Sequence, residues 1–264
     1  MLELFRALWR YRFFVASSVR NEFRARVARS HFGAAWTVLQ PLAQVAIFTL
    51  VLSQVLAARL PGVDDANGYA IYLMAGMLVW SLFLEITSRC LTIFVDNAPL
   101  LKKIVFPRIC LPIIVVGTAL LNNLLLFLAM VGVFAMLGHA PGVEMLWLLP
   151  VLALTVALAL GIGLLLGVLN VFLRDVGQVM TIVLQLWFWM TPIVYTAAIV
   201  PEAFARVLAF NPLAPLVHAS QQAILHRAAP ELASLGWVAL VAVIALAAAM
   251  LLFRRASPDM VDVL

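Results

Sequence analysis

The stretch LWLLPVLALTVALALGIGLLLGVLNVFL, residues 146–173, runs for 28 residues without a charged side chain. About 20 apolar residues in a helix cross the roughly 30 Å of hydrocarbon in a bilayer, so this segment has the length and chemistry of a membrane span. Outward from it, comparable runs occupy Thr37–Ala58, Tyr69–Ser88, Ile109–Leu137, Gln178–Val200 and Leu235–Phe253. The pattern predicts an all-α polytopic membrane protein, residues 1–264 forming one domain whose six-span bundle covers 35–255. The composition agrees: 66% of residues are hydrophobic and 11% charged, the latter about half the fraction in soluble domains.

Charge placement gives orientation. With six spans, both termini share a side with the loops around 89–108 and 174–177. That side holds fourteen of the seventeen Lys and Arg residues, leaving Arg59, Arg206 and Arg227 opposite. Cytoplasmic loops carry the excess of Lys and Arg, so both termini are expected in the cytoplasm. The net charge of +5 and sequence pI near 9.8 therefore flank membrane segments, and no soluble basic face suited to nucleic acid is read. Seven arginines in the first thirty residues, with no uninterrupted apolar core, argue against a cleavable signal peptide. Cys90 and Cys110 border apolar runs at no metal-like spacing and are expected to be buried free thiols.

The interruptions between spans carry the functional candidates. Residues 1–30 divide as an amphipathic interface helix: Arg6, Arg10, Ser17, Arg20 and Arg24 fall in one arc, and Phe5, Leu8, Val15, Val19 and Phe23 in another, with Arg12 an exception on the apolar side. Such a collar, continued by Arg26 and Arg29, either anchors the chain to anionic lipid or meets an anionic substrate headgroup, for which paired guanidinium forks suit a diphosphate. The segment DNAPLLKKIVFPR, 96–108, is either a positively charged loop or a short docking helix for a cytoplasmic partner. Glu85 and Arg89 are four residues apart and so share a helix face; they are either a structural pair snorkelling near the interface or, since ionisable groups at membrane depth face a bundle interior or a cavity, part of a pathway. QLWFWMTPIVY, 185–195, concentrates Trp187, Phe188, Trp189 and Tyr195 around Pro192, as either bundle-packing aromatics or a surface on which sugars stack. Pro201, Pro212, Pro215 and Pro230 break residues 201–234, which replaces a further span by either two short re-entrant helices at 203–210 and 216–225 or an ordinary extracytoplasmic loop lying on the surface. Gly161, Gly163 and Gly167 allow close helix packing.

Equally informative are the motifs that do not occur. The sequence has no GxxxxGK[ST] phosphate loop, no HExxH and no GxSxG, so ATP hydrolysis, zinc hydrolysis and acyl transfer are not expected of this chain. His31, His139, His218 and His226 are scattered, and the twelve acidic residues are dispersed, against a membrane-embedded transferase.

The ordered set RARVARSHFGAAWTVLQPL (24–42), GMLVWSLF (76–83), NAPLLKKIVFPR (97–108), LGVLNVFLRDV (166–176), QLWFWMTPIVY (185–195) and NPLAPLV (211–217) resembles the ABC-2 type permease family, in particular its O-antigen polysaccharide exporters. That resemblance implies a homodimer in the bacterial inner membrane, with two copies of a separate cytoplasmic ABC ATPase that bind the ATP and magnesium. The cargo implied is a glycan on undecaprenyl diphosphate, and no cofactor is implied in this chain. It assigns ATPase coupling to Asn97, Leu100, Lys102, Lys103, Phe106, Pro107 and Arg108, and a gate role to the N-terminal helix. Arg24, Arg26 and Arg29 become candidate headgroup contacts. Glu85, Arg89, Trp187, Phe188, Trp189 and Tyr195 become candidate channel lining. Capsule or teichoic-acid polymer, or a small lipid or drug, are the alternative cargoes.

Overall fold

The computed structural model describes residues 9–28, 35–50, 66–103, 108–139, 142–196, 200–201, 208–257 and 259–263. Its helices are α1 (Arg12–Ala28), α2 (Ala35–Thr49), α3 (Ala66–Asp96), α4 (Ala98–Lys103), α5 (Cys110–Met136), α6 (Leu148–Phe172), α7 (Asp175–Trp189), α8 (Leu213–Gln221), α9 (Leu232–Ala256) and α10 (Met260–Val263), with a 3-10 turn at Val143–Trp147 and a π turn at Gln222–His226. The described residues contain no strand. Among the described residues, four helices are long and apolar enough to cross a membrane: Gly68–Asp96, Cys110–Met136, Val143–Phe172 and Leu232–Ala256.

The centre of the bundle is α3. In its most apolar window 78% of residues are buried, against 22% for α9. A helix apolar on all sides must be covered on all sides, and α3 packs on α6, α5, α8 and α2 while α9 packs on α6. The outer helices keep apolar stripes exposed, Leu120, Leu124 and Leu128 on α5 and Trp237, Leu240 and Ile244 on α9. Such stripes are stable only against lipid or another apolar surface.

Lipid tails are as apolar as leucine, so close packing and hydrogen bonds, more than hydrophobicity, join helices here. The glycines of α6 supply the packing. A Cβ on Gly161 would lie 2.8 Å from the Leu246 backbone nitrogen of α9, one on Gly163 would lie 2.8 Å from Cys90 Cβ, and one on Gly167 would run into the Cys90 carbonyl of α3. The GxxxG spacing thus serves contacts within the chain. Hydrogen bonds supply the rest: Asn123 Nδ2 donates to the Leu78 carbonyl at 2.9 Å, and Ser220 Oγ to that of Ala75 at 2.8 Å. Asn170 joins three helices, donating to Leu91 O and accepting from Gly177 N, each at 2.9 Å. Cys90 and Cys110 are buried free thiols.

Two sequence boundaries change. The span read over Gln178–Val200 is helical only to Trp189, because Pro192 cannot donate to a helical carbonyl and disfavours helix in the residue before it. The span read over Thr37–Ala58 is a helix from Ala35 to Thr49, and 51–65 lie outside the described residues.

Candidate functional site

Three groups of polar and aromatic residues interrupt the apolar bundle. The first joins α1 to the core. Val15, Val19 and Phe23 are half-buried, and a Cβ at Gly117 of α5 would lie 2.9 Å from Val19, so the apolar arc of α1 lies on α5. Beside that contact, Arg89 Nη2 meets Glu22 Oε1 at 2.6 Å, while its Nη1 reaches Glu85 Oε1 at 3.5 Å. Glu85 Oε1 accepts from Asn122 Nδ2 at 2.6 Å, and the Thr118 hydroxyl lies 2.9 Å from Ile114 O and 3.1 Å from Glu22 Oε2, with one proton for the two. The helical pair Glu85 and Arg89 thus exists, but its shorter partner comes from α1. Glu22 had no sequence signal beyond being the one acid in an arginine-rich helix. Arg12, the exception on the apolar side, lies over the rings of Trp9 and Phe13, 4.7 and 4.5 Å from their centroids, a cation–π placement.

Of the arginines proposed for a headgroup, Arg24 is exposed. The Arg26 side chain and all of Arg29 lie outside the described residues.

The second group surrounds the end of α7. Non-helical backbone at membrane depth needs donors for its carbonyls, and side chains of α3, of α8 and the loop before it, and of the segment itself bring them. Tyr69 hydroxyl donates to Val194 O at 2.7 Å. The Tyr72 hydroxyl lies 3.0 Å from Tyr195 O and 3.3 Å from Pro192 O, and its single proton serves the nearer. Gln221 Nε2 reaches Pro192 O at 3.3 Å, and Tyr195 hydroxyl donates to Trp189 O at 2.9 Å. Asn211 makes four contacts: Oδ1 accepts from Trp187 Nε1 at 2.9 Å and from Leu213 N at 3.0 Å, while Nδ2 donates to Met190 O at 3.1 Å and Thr191 Oγ1 at 3.0 Å. The aromatic cluster therefore divides. Trp187 is bonded to Asn211 and packs edge-on to Phe83; Phe188 is buried among Trp80, Phe48 and Trp189; Trp189 is 59% exposed.

Pro192 marks freed carbonyls in the sequence, but their donors Tyr69, Tyr72, Asn211 and Gln221 were missed, since nothing local pairs them with that segment. The second short helix, read over 216–225, is α8 and its π turn, with Leu213, Leu216, Val217, Ser220 and Ile224 buried in the bundle. The first, at 203–210, falls mostly outside the described residues.

The third group is the segment after α3. Asn97 interrupts the helix, its Nδ2 donating to Ile93 O at 2.8 Å, and α4 restarts with Leu100 half-buried, Leu101 buried and Lys102 exposed. The Lys103 side chain and residues Phe106 and Pro107 lie outside the described residues. Arg108 Nη1 donates to both the carbonyl and, at 2.8 Å, the hydroxyl of Ser257. Met260 of α10 is fully buried, and α10 packs on α4 and α6. The C-terminal tail thus holds the segment from behind.

No cluster of three or more His, Cys, Asp or Glu suited to a metal occurs among the described residues. What the bundle displays is a polytopic helical membrane protein whose polar residues tie broken helices together, the class to which membrane permeases belong. The chain belongs to the ABC-2 type transporter family, which matches it over residues 15–225. It is 30% identical over 260 residues to an O-antigen export system permease protein of Myxococcus xanthus, covering 96% of each chain. A Klebsiella pneumoniae protein of the same description is 28% identical over 198 residues, 75% of this chain and 74% of that one. A polysialic acid transport protein of Escherichia coli is 23% identical over 239 residues, 89% of this chain and 90% of that one.

Proposed function

We propose that this chain is the membrane subunit of an ATP-driven exporter that carries undecaprenyl-diphosphate-linked O-antigen polysaccharide across the bacterial inner membrane. The observation that carries the reading is the match along almost the whole chain to a permease described as an O-antigen export protein. The chain acts as a homodimer with two copies of a separate ATPase, which binds ATP and magnesium; the sequence has no phosphate loop of its own.

Both termini lie in the cytoplasm, six spans cross the membrane, and α8 enters from the outer side as a re-entrant helix. The ATPase pushes on Asn97–Arg108, whose inner face is fixed by Leu101 and by the tail bonded to Arg108, leaving Lys102 for contact. The basic face of α1, with Arg24, Arg26 and Arg29, receives the diphosphate, and Trp189, Tyr195 and Glu85 line the glycan path. Trp187 and Phe188, which the sequence also offered as lining, act by holding α7 in place. The similarity to a polysialic acid transport protein supports capsular polymer as the second reading.

Deleting the gene in its host tests the proposal. Loss of surface O antigen with lipid-linked polymer accumulating inside, restored by this chain, is the expected result. Unchanged surface polymer would overturn the proposal, and loss of capsule alone would favour the second reading.

A further inference from the structure

Beside the Glu85–Asn122 contact the bundle encloses a polar cavity. Residue 82 is the midpoint of the span Gly68–Asp96, and around it Ser81 and Glu85 of α3 share the wall of a cavity of about 300 Å³ with Gln40 and Gln44 of α2, Asn122 of α5 and the ring of Trp80. That volume is at the lower end of small-molecule sites. Gln40 and Gln44 stand one helical turn apart, and neither carboxamide has a hydrogen-bond partner among the described residues. Asn122 is only 5% exposed, gives its Nδ2 to Glu85, and leaves Oδ1 without a donor among those residues. Ser81 donates to Leu78 O at 3.2 Å and so keeps its oxygen free to accept. Pro41, in the same wall, brings no N–H of its own. Gln40 is exposed and Gln44 half-buried on α2, whereas Asn122 is buried at the middle of the span Cys110–Met136; a buried, unmatched amide oxygen at that depth is unfavourable in hydrocarbon and marks a polar path or ligand.

Charge narrows what that ligand is. Among the described residues the cavity wall holds the Glu85 carboxylate and no Lys or Arg; the nearby Arg89 is engaged by Glu22 and Glu85. Among those residues a phosphate entering here meets a negative charge and no unengaged cation. Carboxamides, a hydroxyl and a carboxylate together accept from and donate to neutral hydroxyl groups, and Trp80 gives an apolar face for C–H groups. A second cavity, of about 630 Å³, shares Gln44, Trp80 and Ser88 and continues the polar wall to Thr181 and Gln185 of α7.

We infer that the cavity between α2, α3 and α5 binds one neutral, hydroxyl-rich ring, a sugar unit of the transported polymer, and rejects its anionic headgroup; the inference rests on the export reading for the source of that sugar. The permease–ATPase complex in lipid nanodiscs is titrated with lipid-free fragments of the host's surface polysaccharide, and separately with inorganic pyrophosphate, following tryptophan fluorescence. Fragments should change the signal and pyrophosphate should not displace them. Gln40→Leu with Gln44→Leu, which makes a lipid-compatible wall, should weaken fragment binding roughly tenfold for two lost hydrogen bonds, with ATPase co-purification unchanged. Gln44→Leu alone gives a smaller loss and serves if the double variant does not assemble. Wild-type affinity in both variants, no fragment binding to the wild type, or displacement by pyrophosphate each overturns the inference. If the variants bind fragments normally while the wild-type complex still exports polymer, the site assignment fails and the export reading stands.

Discussion

Replacing Asn211 by leucine removes four hydrogen bonds at one point while keeping the side-chain volume close. The residue is 7% exposed, so water cannot replace what is lost. Trp187 Nε1, Leu213 N and Met190 O lose their partner, while Thr191 Oγ1 still donates to Trp187 O at 2.8 Å. In membrane proteins an interhelical hydrogen bond averages about 0.6 kcal/mol, whereas an orphaned buried group costs about 1–3 kcal/mol. Four bonds at the lower rate give a loss of roughly 2 kcal/mol, and orphaning of the backbone and indole groups raises it to roughly 4 kcal/mol. At about 2–4 °C per kcal/mol for a chain of this length, the midpoint of thermal unfolding should fall by roughly 4–16 °C. Fluorescence-detected size exclusion after heating reads this directly, and a cysteine at Thr196 should label faster as the break after α7 loosens. An Asn211→Leu protein that unfolds at the wild-type temperature and labels at the wild-type rate would refute the idea that side chains hold this break.

Charge reversal at Lys102 and Lys103 should lower recovery of the ATPase by affinity purification of the permease, with membrane insertion retained. Gly167→Ala should cost about 1–3 kcal/mol through overpacking against the Cys90 carbonyl, seen as a lower unfolding temperature. Gly132→Ala, where a Cβ meets nothing within 4 Å, should be neutral or gain up to about 1 kcal/mol. Trp189→Leu should reduce export of long polymer without moving the unfolding temperature, whereas Phe188→Leu should lower that temperature by removing a buried ring, both read by gel profile of surface polysaccharide and thermal scan.

Where spans lie follows from length and apolarity, so the helices at Gly68–Asp96, Cys110–Met136, Val143–Phe172 and Leu232–Ala256 were legible from 146–173 outward. Pro192 and the NP pair at 211–212 announced interruptions as well, because a missing N–H is a local property. What the interruption attaches to was not legible. Tyr69 and Val194 are 125 residues apart, Asn122 and Glu85 are 37 apart, and Glu22 and Arg89 are 67 apart; such pairings depend on which faces of separate helices meet. Hydropathy gave no such guide to facing, because α3 is apolar almost all round and hides its polar ties among buried neighbours. The aromatic cluster shows the same limit: one turn of helix sends Phe188 inward and Trp189 outward, a division that composition alone left open.

The most direct test is reconstitution of the purified chain, with and without its ATPase, in vesicles loaded with lipid-linked polysaccharide on the ATPase side. The account predicts ATP-dependent appearance of polymer on the opposite side only when both proteins are present. Polymer crossing at the same rate without the ATPase, or none crossing when both proteins and ATP are supplied, would contradict it.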